Sequence, residues 1–197
     1  MRRRILIAAT ILALTATQAF AELKRQLGTH QHGHGTLNLA IEGQSLQMEL
    51  EVPGADIVGF EHAAGSAGDQ AKVKAAKKKL SEPLALFALP TAAGCKIASS
   101  SVMVEGEKET KRSGHDAHGH SHDEKHQDEG NQESHSEFRA EYAFTCADMN
   151  AITEVAFPYF EAFPNSEELA VTIITDKSQK AFEVTRKNPF IDLRGMM

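Results

Sequence analysis

Six histidines, His115, His118, His120, His122, His126 and His135, fall within residues 107–137, together with nine carboxylates and without a Val, Ile, Leu or Met. Imidazole and carboxylate are ligands that a borderline ion such as Zn²⁺ accepts. A stretch with almost nothing apolar to bury cannot offset the entropy of being ordered by packing. The composition therefore predicts a long, disordered, metal-collecting loop. From His115 to His126 the spacing is His-x-x-His-x-His-x-His-x-x-x-His, with Asp116, Asp123 and Glu124 interspersed. These residues offer overlapping ligand sets and enforce no single tetrahedral one, which suits capture and exchange better than permanent binding. A ligand imidazole must be unprotonated, so with an ordinary pKa of about 6.5 such a loop is expected to release metal as the pH falls toward about 6.

A second group lies near the N-terminus, where His30, His32 and His34 alternate with Gln31 and Gly33 and are followed by Gly35. In an extended chain they share one face, and the glycines leave room for the backbone to wrap an ion. Three imidazoles with an open position suit zinc. A solvated histidine-rich terminus without fixed geometry explains the spacing equally well, and both readings stay open. Glu61-His62 is the other place where histidine adjoins a carboxylate, and it is a candidate fourth ligand or outer partner of the triplet. A lone histidine is more often structural.

Ligand type alone does not choose the metal, because imidazole also suits Cu²⁺ and Ni²⁺. The chain has no run of spaced methionines for Cu⁺. If it is cleaved after Ala21, the third mature residue is Lys24, where an amino-terminal copper or nickel claw needs histidine. Copper and nickel are thus the less suited cargoes. No His-Glu-x-x-His or other catalytic constellation stands out, so no enzyme is predicted.

The elements that must position these ligands begin after an export signal. Arg2, Arg3 and Arg4 precede an apolar run ending at Leu14, and Ala19-Phe20-Ala21 reads as a cleavage site, giving a signal over 1–21 and one domain over 22–197. No membrane anchor is expected, and the product is placed in the periplasm. Loss of three arginines leaves 18 Lys and Arg against 27 Asp and Glu. That balance disfavours nucleic acid and favours cations. Two cysteines in an exported chain predict a Cys95–Cys146 disulfide at the base of the loop, a thiolate metal site being the alternative.

Leu37, Leu39 and Ile41, then Leu46, Met48, Leu50 and Val52, alternate with polar residues across Gly43-Gln44, which predicts a hairpin with one buried face. Strand-like runs recur over 96–104, 138–145, 152–157, 169–175 and 181–185. One helix is predicted before Pro83, capped by Asp69 and burying Val73, Ala76 and Leu80, and a second helical turn is expected over 84–89. Its lysines read as an ordinary solvated face. The class is β-rich α+β: an antiparallel sheet or sandwich with one or two helices and the long His- and acid-rich loop.

Taken together, His30-Gln31-His32-Gly33-His34-Gly35-Thr36-Leu37-Asn38, Val58-Gly59-Phe60-Glu61-His62, Cys95, the histidine loop and Cys146 resemble the ZrgA-type periplasmic zinc-binding proteins. The resemblance implies a soluble periplasmic protein that binds Zn²⁺, is made when zinc is scarce, and works beside a zinc uptake transporter. Two other readings are a solute receptor of a metal ABC importer, for which the chain lacks length and strand–helix alternation, and a passive metal buffer loop on a protein-interaction domain.

Overall fold

The computed structural model describes residues 31–105 and 136–196. The expected export signal, His30 and the insertion's histidines, with Asp116 and Asp123, lie outside the described residues.

The expected hairpin forms from β1 (His34–Glu42) and β2 (Ser45–Pro53), turning at Gly43, whose φ of 57° is left-handed. A short helix α1 (Gly54–Val58) follows β2 directly, and Gly59, at φ 85°, closes it. Next come α2 (Ala67–Leu80), α3 (Pro83–Leu86), β3 (Lys96–Glu105) and β4 (Glu137–Thr145). The chain continues through β5 (Glu154–Ala156), α4 (Tyr159–Ala162), β6 (Glu168–Ile174), β7 (Gln179–Thr185) and β8 (Phe190–Asp192).

Six strands make one sheet in the order β3-β4-β2-β1-β6-β7, and β5 pairs with β8 in a small second sheet. The β-rich α+β class is as the sequence predicts. Within the large sheet β1 and β6 run parallel, while the other neighbours are antiparallel. Period-2 patterning reports which face a residue occupies and is silent on strand direction.

One face of the sheet carries the core: Leu37, Leu39, Leu46, Leu50, Phe138, Phe144, Leu169 and Ile173 are all buried. The helices and aromatic residues cover it. Phe87 stands between Tyr142, Phe157 and Tyr159, with ring centroids 5.8–6.1 Å apart, and the Tyr142 hydroxyl donates to the Leu80 carbonyl at 2.8 Å. Val73, Ala76 and Leu80 are the buried residues of α2, as its sequence pattern predicts. Its cap is Ser66 instead of Asp69: Ser66 Oγ accepts from Asp69 N–H at 3.0 Å, so Asp69 sits inside the first turn.

Cys95 and Cys146 form the disulfide, 51 residues apart. Its place differs from expectation. The β3–β4 ladder runs from Lys96 opposite Thr145 to Glu105 opposite Glu137. The bridge adjoins the first pair, whereas the insertion leaves from the second, the full 10-residue length of β3 away, or roughly 30 Å. It therefore clamps the hairpin's far end rather than the loop's base.

Replacing both cysteines by serine is expected to lower stability by up to about 4 kcal/mol on the chain-entropy account. Urea unfolding checks this.

Candidate metal centre

β1 begins, β2 ends, β4 begins and β6 begins at the same end of the sheet: Pro53 pairs with Glu137, and His34 with Glu168. Around this end gather His32, His34, Asp56, Glu61 and Glu168.

A turn over residues 31–34 starts the arrangement, closed by His34 N–H donating to the Gln31 carbonyl at 3.1 Å. Gly33 occupies its third position with φ 85°, a conformation that favours glycine. The Gly33 N–H donates to Asp56 Oδ1 at 2.8 Å, and its carbonyl accepts from Glu167 N–H and Glu168 N–H, each at 2.8 Å. For His32 and His34 the turn corrects the expectation that they share one face of an extended strand. His32 Nε2 lies 3.0 Å from Glu61 Oε1, while His34 Nδ1 lies 3.5 Å from Glu168 Oε1. His34 Nε2 is also 3.2 Å from Gln31 Nε2. Gly35 has a packing role as well: a Cβ there would lie 2.3 Å from Val52 Cγ1.

His62 makes different contacts from its neighbour Glu61. Its ring stacks on Phe60 with centroids 4.5 Å apart, and its Nδ1 lies 3.0 Å from the Ala63 carbonyl. Phe60 also lies beneath the Lys72 ammonium, 5.6 Å from the ring centroid.

Asp56 and Glu168 are the residues that sequence reasoning missed. Asp56 is 2% exposed. Burial pushes its carboxyl above the usual carboxylate range, against the Gly33 N–H and the charge of His32, which pull it down. A lone acid in the apolar run Pro53-Gly54-Ala55-Asp56-Ile57-Val58 was a readable signal. Glu168 had none, because its meeting with His34 comes from the parallel pairing of β1 and β6.

The segment carrying Glu168 is held from several sides. The Tyr159 hydroxyl and Ser166 Oγ are 2.7 Å apart in the core, and burial raises the pKa of that tyrosine. Arg186 donates to the Pro164 and Ser166 carbonyls. A cleft of about 630 Å³, lined by His34, Glu167, Glu168 and Arg186 among others, opens beside His34.

The insertion's return is tied to the same place. Ser136 N–H donates to the Glu61 carbonyl at 2.8 Å, and Gly54 N–H donates to the Ser136 carbonyl at 2.7 Å. Arg139 binds Glu51 at 2.7 Å and Glu105, the last described residue before the insertion, at 3.2 Å. Among the described residues no three His, Cys, Asp or Glu side chains already surround a common point as metal ligands. The arrangement holds two imidazole–carboxylate pairs on either side of Gly33, with a buried carboxylate beneath the turn.

Gly54→Ala tests the junction, because its Cβ would fall 2.1 Å from Ser136 Oγ and 2.7 Å from the Phe60 carbonyl. Overpacking of this kind is expected to cost about 1–3 kcal/mol, read as a lowered midpoint in thermal unfolding.

Among the described residues no helix is long and apolar enough to cross a membrane. Curated proteins give no match to the chain. The model of a family described as "ZrgA family zinc uptake protein" matches residues 29–193, which spans the turn, Asp56, Glu61, both cysteines and Glu168. The chain belongs to the ZrgA family of zinc uptake proteins.

Proposed function

We propose that this is an exported, periplasmic zinc-binding protein that captures Zn²⁺ through two histidine groups and supports its uptake or delivery. In this reading His115, His118, His120, His122, His126 and His135, with Asp116 and Asp123, collect zinc at several exchangeable positions. The N-terminal group holds a single ion more tightly through His32, His34 and Glu61, with His30 and His62 as its further candidates. A zinc uptake transporter is the proposed recipient.

The observation that carries the reading is the junction at Ser136. The residue that follows His135 is hydrogen bonded to the backbone of Glu61, whose side chain faces His32. The described chain thus resumes, one residue after His135, at the end of the sheet that carries His32 and His34. Imidazole and carboxylate supply suitable zinc ligands in both groups, and a degenerate set suits capture and release.

Deleting residues 114–135 and counting bound metal by mass spectrometry after zinc titration separates the two groups. The intact chain is expected to bind several ions and the deletion variant one. Loss of all zinc from the folded variant would refute the N-terminal site.

A further inference from the structure

Asp56 is a buried carboxylate with only one of its two oxygens engaged. It lies on α1 beneath the turn, 2% exposed, and its Oδ1 is committed to the Gly33 N–H at 2.8 Å. Its Oδ2 is buried and has no hydrogen-bond partner among the described residues. The charged side chains acting on the carboxyl are His32, Glu61 and His34. A buried carboxylate oxygen without a partner is costly unless it is protonated or meets a cation. Those three side chains are the ones proposed above to bind zinc, and the Gly33 N–H that Asp56 accepts belongs to the turn that carries both histidines.

We propose that Asp56 Oδ2 is a direct ligand of a divalent cation bound with His32, His34 and Glu61, an inference that rests on the N-terminal site proposed above. The Gly33 N–H fixes the Asp56 carboxylate from its other oxygen, as outer partners fix the ligands of zinc sites. Asp56 is the rigid member of the set. The side chain of His32 is 68% exposed and that of His34 37% exposed, so both rings have room to leave Glu61 and Glu168 and re-aim at an ion. Two imidazoles and two carboxylates make four ligands of types zinc accepts, matching its usual coordination number. The single turn that places His32 and His34 on opposite sides of Gly33 also donates the Gly33 N–H to the Asp56 carboxylate.

The test uses the full chain with the six insertion histidines, His115 to His135, changed to glutamine, so that zinc affinity reports the N-terminal group. Asp56→Asn keeps the shape and the oxygen that accepts from Gly33 N–H but removes the anionic ligand. It is expected to retain the metal-free melting temperature and to bind Zn²⁺ more weakly by at least about tenfold, the lower end of what losing even an outer partner costs. Asp56→Ser, which removes the carboxylate without adding bulk, should show a similar loss by competition with a chromophoric chelator. Co²⁺ bound to the parent should change its visible absorption when Asp56 is replaced. Parent-like zinc affinity in folded Asp56→Asn would overturn the assignment of Asp56 while leaving the N-terminal site intact. A parent that binds no zinc would overturn both.

Discussion

The backbone of Gly33 joins three separate segments of this protein. Its N–H is held by Asp56 on the helix after β2, and its carbonyl accepts two N–H groups from the start of β6. A left-handed φ makes these bonds compatible with the turn, and a side chain at Gly33 would press against Glu167 at 3.2 Å. The glycine therefore sets where β1 begins and how β6 enters beside it. It also sets the directions of the two histidines that flank it.

From that constraint follows an uneven distribution of chemistry over the sheet. Its interior is aliphatic and aromatic, and the disulfide closes one end of the β3–β4 ladder. Histidine and carboxylate residues gather at the other end, where Arg139 offsets part of the acid through Glu51 and Glu105. A well-packed scaffold can hold a few groups in arrangements that are costly without a ligand. Asp56 is the clearest case, because the burial that raises its pKa comes from the packing that positions it.

Much of the scaffold was legible in the sequence. Alternating Leu37, Leu39 and Ile41, then Leu46, Met48 and Leu50, report the hairpin because burial on one face imposes a period of two. The three-residue strand β8 was not legible, since so short a segment carries no period and exists by pairing with β5. Helix α2 was visible, but its cap was misplaced by three residues because both Ser66 and Asp69 have capping side chains. The histidines suggested metal chemistry by type alone, and Cys95 and Cys146, the two cysteines of the sequence, suggested their bridge.

By itself the sequence determined the ligand types, the β-rich class, the paired cysteines and the resemblance to a zinc uptake family, all of which depend on composition or local period. Tertiary structure decided which ligands have neighbours. Glu168 reaches His34 through a parallel pairing, Asp56 reaches Gly33 through the turn of α1 beneath β1, and Ser136 reaches Glu61 through the register of β4 on β2. The disulfide's position opposite the insertion is likewise a matter of register. Local preferences act over a few residues, whereas these contacts depend on the order and direction in which distant strands join one sheet.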